Sequence, residues 1–183
     1  MPTVTSSDVI AGVVLVEPDV HGDERGRFME TYRRDWFPHG REMLQGNRSD
    51  KQQGALVGLH YHLHQADYWY VPRGRALVVL HDLREGSPTE GATLAFEMGE
   101  GSEVGAFIPP GVAHGFAALT DLTITYLVDQ YYNADDELGV AWDDPDLGID
   151  WRLADPVVSK RDQTNPRRVD LPPSRRPYWG LRT

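Results

Sequence analysis

Cysteine is absent from the 183 residues. That excludes disulfides and thiolate chemistry and leaves histidines and carboxylates as the ligands for any metal. Positive charge is short as well: 18 Lys and Arg stand against 28 Asp and Glu, a formal charge of -10. Such a balance repels nucleic-acid backbones and anionic membrane surfaces, so neither is expected as a partner. No apolar run approaches the ~18 residues that suggest a membrane-spanning helix. Met1 to Asp8 has no basic stretch leading into an apolar one, and a cytoplasmic location is expected. Helical periodicity is scarce. Arg33 to Phe37 can form one helical turn, and from Asp143 onward Pro and Gly are too frequent for long helices. No internal repeat or low-complexity linker occurs, and the Pro- and Arg-rich stretch from Pro172 to Thr183 is expected to be loosely ordered.

What the chain does contain is strand signal. Runs rich in β-branched and aromatic residues recur at Val13 to Val16, Arg27 to Tyr32, Ala55 to His62, Asp67 to Val71, Ala76 to Leu83, Ala92 to Glu97, Ala106 to Ile108 and Leu122 to Val128. Turns such as Gly22-Asp23, Arg73-Gly74 and Pro110-Gly111 separate them. Many short strands imply a sandwich or barrel. With 40% hydrophobic residues the chain suits one domain over 1–183, a barrel core over about 10–132 and a C-terminal packing segment over about 133–183. Members of the Tyr68-Trp69-Tyr70 run must face opposite sides of a sheet, in the core or a dimer interface, with one ring lining a pocket.

The chemistry-bearing pattern is Gly54-x5-His60-x-His62-x4-Asp67-x6-Gly74, followed by Pro109-x-Gly111-x2-His114. Side chains two apart on a strand share a face, so His60 and His62 can point into one cavity, with Asp67 and His114 joining from neighbouring strands. The pattern resembles the metal-binding signature of the cupins, with Asp where Glu is usual and without the last polar residue of the second motif. The resemblance implies an all-β cupin fold, a double-stranded β-helix or jelly-roll barrel, with short helical turns and an irregular C-terminal segment. It also implies a ligand set of His60, His62, Asp67 and His114 that suits iron, manganese, nickel or zinc. His62 and Asp67 equally suit a hydrogen bond to each other with no metal. His64 is expected at an exposed turn or rim, and His81 in a structural role. Trp142, Trp151 and Asp143-Asp144-Pro145 are expected to organise the C-terminal packing that carries Asp162 back to the barrel.

Further segments carry a more specific likeness: Asp23-Glu24-Arg25-Gly26-Arg27-Phe28, Gln45-x-Asn47-x-Ser49, Gly58-Leu59-His60-Tyr61, Asp82-Leu83-Arg84-x-Gly86-Ser87-Pro88-Thr89, and Ile108-Pro109-x-Gly111-x-Ala113-His114-Gly115-Phe116. After them come Tyr126, Tyr131-Tyr132, Trp142-Asp143-Asp144-Pro145-x-Leu147-Gly148-Ile149-x-Trp151 and Ser159-x-x-Asp162. Over roughly residues 10 to 165 the chain resembles the dTDP-4-dehydrorhamnose 3,5-epimerases, sugar-nucleotide enzymes on a cupin barrel. The resemblance implies epimerisation of a nucleotide-linked, dTDP-type 4-keto-6-deoxy sugar at C3, C5 or both, with no cofactor. His60 matches the family's general base, Asp162 the carboxylate that orients it, and Tyr126 the acid once one residue is deleted after His114. His114 matches a second active-site His, Arg25, Gln45 and Asn47 match positions that grip the nucleotide, and Tyr132 is a further substrate contact. A homodimer is implied, with N-terminal strands near Val13 exchanged or paired between subunits.

Three positions depart from the family: Val57, His62 and Asp67 stand where it has Arg, Gln and Lys. The missing cations are those that would hold the enolate oxygen formed when a proton leaves next to a ketone. An altered substrate or regiochemistry follows, or a divalent metal as Lewis acid in their place. A metal on the substrate-facing nitrogen of His60 would stop that residue acting as a base, so His60 takes one role or the other. Two further readings stay open: a metal-dependent cupin oxygenase or isomerase acting on another small molecule, and a non-catalytic sugar-nucleotide binder.

Overall fold

In the computed structural model, which describes residues 1–37 and 41–180, two sheets face one another. The first runs, in spatial order, β1 (Thr3–Ser6), β2 (Val14–Glu17), β10 (Gly105–Ile108), β7 (Asp67–Arg73), β12 (Leu122–Val128) and β5 (Gln45–Lys51). The second runs β13 (Leu138–Gly139), β6 (Ala55–Tyr61), β11 (Val112–Ala118), β8 (Arg75–Asp82) and β9 (Thr93–Gly99), with β14 (Val157–Val158) also pairing β6. A separate hairpin joins β3 (His21–Asp23) to β4 (Gly26–Phe28). This is the all-β cupin jelly roll, with 3-10 turns as its helical elements among the described residues. Among the same residues no helix is long and apolar enough to cross a membrane.

The alternation of β8 shows why the chain adopts this form. Val78 and Leu80 point between the sheets, where they meet Ile10, Val13, Phe116 and Ile124. Leu77 and Val79 point outward and are covered by Leu147, Trp151 and Leu171 of the C-terminal segment. Both faces are therefore apolar, and every residue of the strand after Arg75 is buried. Each such side chain contributes about 1.5–3 kcal/mol through burial, so the C-terminal segment is held by its own apolar anchors. On the outer face of the first sheet, Tyr68 and Phe107 pack with Trp36 and Phe37. Trp69 turns inward, as the expected alternation of the aromatic run requires.

A buried polar knot ties three parts of the chain together. The Asp82 carboxylate accepts hydrogen bonds from Arg84 Nε at 2.7 Å and Nη2 at 2.8 Å, and from the hydroxyls of Ser87 and Thr89 at 2.7 Å each. Arg84 Nη2 also donates to the Ala11 carbonyl at 2.7 Å, and the guanidinium lies 4.6 Å from the Trp179 ring centroid. Tyr61 donates to the Arg175 carbonyl at 2.8 Å, and Trp179 N–H to that of Glu85 at 3.0 Å. The tail from Pro172 through Gly180 is thus docked, contrary to the loose ordering expected from its Pro and Arg content; the rest of that stretch, 181–183, lies outside the described residues.

Other expectations shift in detail. The strand near Val13 pairs within its own chain, with β1 on one side and β10 on the other. The run expected over Arg27 to Tyr32 stops at Phe28. β5 and β11 escaped the sequence patterns because neither is rich in β-branched or aromatic residues. β5 reads Gln-Gly-Asn-Arg-Ser-Asp-Lys, and β11 is Ala- and Gly-rich and wholly buried.

Candidate active site

Gly58 and Gly115 bring β6 and β11 unusually close. A Cβ on Gly58, which has φ +118°, would stand 2.7 Å from the Gly115 Cα and 2.9 Å from the His114 carbonyl. Only glycine meets both the left-handed φ and the contact. The register shifts between His114 and Phe116, and His114 lies directly opposite His60. Paired residues share a face, so both imidazoles enter the cavity between the sheets, and His62 follows two residues on. From the opposite sheet come Asp67, Trp69 and Tyr126, with Trp69 opposite Tyr126 in the register. β5 adds Gln45, Asn47, Ser49 and Lys51 by alternation, its other residues facing solvent. These walls enclose about 300 Å³.

Asp162 arrives from far along the chain. β14 pairs with β6 in parallel, Val157 opposite Ala55 and Val158 opposite Leu56. The 3-10 turn Asp162–Thr164 then begins with Asp162 N–H donating to Ser159 Oγ at 3.1 Å. That places Asp162 Oδ1 2.6 Å from His60 Nε2. An ionised carboxylate only accepts, so Nε2 carries the proton and Nδ1 is the basic nitrogen. Burial, the largest influence on the Asp162 carboxyl, pushes its pKa up, but hydrogen bonds and charge from His60, with help from Ser159 and Gly58, leave it below the usual carboxylate range. Asp162 therefore stays ionised at neutral pH.

The facing groups are poised differently. Burial, with the Asp67 and Glu137 charges adding to it, raises the pKa of Tyr126, so its phenol keeps its proton. Burial lowers that of His114 to about 4, so this ring is neutral. His62 Nε2 is 3.9 Å from Asp67 Oδ1, beyond a direct hydrogen bond, and Gln65 Nε2 lies between them. His62, Asp67 and His114 offer ligand atoms within 4.8 Å of one another. His60 is not in that group, and its Nε2 is held by Asp162, so the four-ligand set suggested by the sequence contracts to three. His64 is exposed, and buried His81 pairs with Thr93, as expected of a rim residue and a structural one.

Gln45 and Asn47 line the cavity and are bonded to each other at 2.9 Å, and Tyr132 stands at its mouth with an exposed ring. Arg25 does not reach this cavity. It sits on the β3–β4 hairpin, solvent-exposed and paired with Asp23. Gln65, Glu137, Lys51 and Arg161 also line the site and were not singled out from the sequence. Arg161 could have been suspected as the neighbour of Asp162, and Lys51 as the continuation of the Gln45-x-Asn47-x-Ser49 alternation; Gln65 and Glu137 lie in polar stretches with no distinguishing spacing.

Comparisons with known proteins place the chain in a family. The family model described as dTDP-4-dehydrorhamnose 3,5-epimerase matches residues 7–170. The dTDP-4-dehydrorhamnose 3,5-epimerase of Methanothermobacter thermautotrophicus is 38% identical over 161 residues, 83% of this chain and 87% of that protein. Among solved structures, NovW, a 4-keto-6-deoxy sugar epimerase from Streptomyces spheroides, superposes with a TM-score of 0.91 at 30% identity, covering 98% of this chain and 94% of that one. ChmJ from Streptomyces bikiniensis, a 3'-monoepimerase in complex with dTDP-quinovose, gives 0.83 at 36% identity over 87% and 85%. With a family model spanning most of its length and an imidazole–carboxylate pair facing a protonated tyrosine, the chain belongs to the dTDP-4-dehydrorhamnose 3,5-epimerase family.

Proposed function

We propose that the protein is an isomerase that epimerises a nucleotide-activated 4-keto-6-deoxy sugar, dTDP-linked, at a carbon next to the ketone. The observation that carries this reading is the His60–Asp162 pair on one wall of the cavity with Tyr126 on the other. A proton next to a carbonyl is acidic because the carbanion delocalises onto oxygen. His60 Nδ1 removes it, and Asp162 stabilises the imidazolium that forms. Tyr126, whose phenol is still protonated, returns a proton from the opposite side and inverts the centre. Neutral His114 donates nothing through Nε2, since its proton is on Nδ1, bonded to the Val112 carbonyl at 3.0 Å. Its contribution is to shape the wall that the sugar meets.

Gln45 and Asn47 offer amides to the base or ribose, and the exposed ring of Tyr132 offers a stacking face. Lys51 and Arg161 are the cations lining the cavity among the described residues, and they suit a diphosphate. The active unit is a homodimer. Supporting this are the exposed outer strand β1 and the β3–β4 hairpin, which carries Arg25 on the surface where a second copy can receive it.

Incubation with dTDP-4-keto-6-deoxyglucose in deuterium oxide tests the reading. Deuterium is expected at C3, C5 or both, by NMR, with an inverted centre at each epimerised carbon. A sugar that gains no deuterium would sink the proposal. Tyr126→Phe separates the two proton transfers: exchange of the abstracted proton continues on the His60 face, whereas inverted product falls by about 100-fold or more. Equal loss of exchange and inversion would show that Tyr126 is not the acid.

A further inference from the structure

The proton-transfer scheme leaves three buried groups unused. His62, Asp67 and His114 are exposed by only 5, 3 and 4%. His62 Nδ1 is 2.8 Å from the Asp136 carbonyl, and His114 Nδ1 is 3.0 Å from that of Val112. A carbonyl oxygen can only accept, so both Nδ1 atoms carry hydrogen; His62 Nε2 faces the Gln65 amide N–H as an acceptor, and Nε2 of the neutral His114 ring presents a lone pair. Asp67 is an acceptor too, with Oδ2 taking the Trp69 indole N–H at 3.0 Å. Three acceptors thus converge with one neutral donor among them, the Gln65 amide, at 3.2 Å from His62 Nε2 and 2.9 Å from Asp67 Oδ1. His114 Nε2 has no hydrogen-bond partner among the described residues. Acceptors gathered in a buried place repel one another unless a donor or a cation joins them, and the single Gln65 amide reaches two of the three.

We propose that His62 Nε2, His114 Nε2 and Asp67 form a site for a divalent transition cation beside the His60–Asp162 pair. Two imidazoles and a carboxylate are a common donor set for zinc, iron, manganese or cobalt. Both rings are steadied through Nδ1–H bonds to backbone carbonyls, the support that orients imidazole ligands. Donor atoms around one such ion stand about 3–4 Å apart, so side-chain rotations of about 1 Å, with Gln65 turning aside, bring these three into range. His60 keeps Nε2 on Asp162 and remains free to act as a base, so the two roles that collide on one imidazole in the sequence pattern fall to different residues. When bound, the cation supplies positive charge for a carbonyl oxygen in the cavity where Val57 and Asp67 stand in place of the family's Arg and Lys, a role that rests on the epimerase reading.

Cation binding is measured without substrate. Chelator-treated full-length protein is titrated with Zn²⁺ by calorimetry and with Co²⁺ by visible absorption. We expect about one equivalent per chain and a Co²⁺ d–d band. His62→Gln and Asp67→Asn, whose folding is checked by their thermal transitions, should each weaken binding by about 100-fold and remove the band. The double variant His62→Gln with Asp67→Lys should bind neither ion. No saturable binding in the wild type, or affinities that these variants leave unchanged, would overturn the site. In the latter case the ion is held elsewhere; in the former no cation joins these acceptors. If the site fails while deuterium exchange into the sugar persists, only the cation is lost from the account. If the site binds and exchange is absent, the epimerase reading fails instead.

Discussion

His60→Ala is expected to lower kcat by about 1,000-fold, within the range that one general base contributes, with KM changing far less. The reason is geometric: on the β6 face of the cavity His60 Nδ1 is the neutral nitrogen held in its tautomer by a carboxylate, through the 2.6 Å contact of Nε2 with Asp162. Neither of the other two imidazoles is aligned in that way. Asp162→Asn keeps the shape, but its amide can donate to Nε2 and so favour the wrong tautomer; a loss of about 100-fold is expected. Both variants should fold, because His60 is partly exposed and the asparagine is isosteric. Steady-state rates with the dTDP sugar, beside circular dichroism of each variant, decide the matter. A His60→Ala enzyme within tenfold of wild type would remove His60 from the chemistry.

Asp82→Ala is expected to cost about 3–5 kcal/mol of folding stability, the range for breaking a buried ion pair from one side. Arg84 would keep its charge in a buried place with the Ala11 carbonyl and the Trp179 face as its remaining partners. Ser87 and Thr89 would lose their acceptor as well. Burial raises the Asp82 pKa most, yet the hydrogen bonds from Arg84, Ser87 and Thr89 bring it below the ordinary carboxylate value. A lowered pKa means that the fold favours the ionised form. Its contribution is complete above the unfolded carboxyl value, about 4, and is lost as pH falls through the folded value. The stability gap between wild type and variant, read from urea midpoints, should therefore be full at neutral pH and shrink in acid. A gap independent of pH would mean that lost packing, not the ion pair, is responsible.

The sequence carried the fold where strands were two-faced and apolar. The runs that became β6, β7, β8, β9 and β12 were visible within a few residues, because alternation or continuous burial marks them. β5 was not visible, since a strand with a polar cavity on one face and water on the other has no apolar periodicity. The pairing of His60 with Asp162 was legible only through resemblance to a family; no spacing rule joins residues so far apart in the chain. His60 appeared as a metal ligand because period-two alternation puts it on the same face as His62. Alternation says nothing of which nitrogen a neighbour has already engaged, and β14 brings that neighbour. The tail misled for a related reason: Pro and Arg content describes a backbone that makes no regular structure, whereas docking depends on what Arg84 and Glu85 offer it.

The pairing of β14 with β6 has a bearing on how the chain matures during synthesis. The cavity walls come from residues up to Arg161, most of them before residue 140, while the carboxylate that aligns the base is 102 positions beyond the base itself. A nascent chain can therefore build a pocket with much of its lining before it has an oriented base. The aligned base exists only once the chain has been made through Asp162 and β14 has paired with β6.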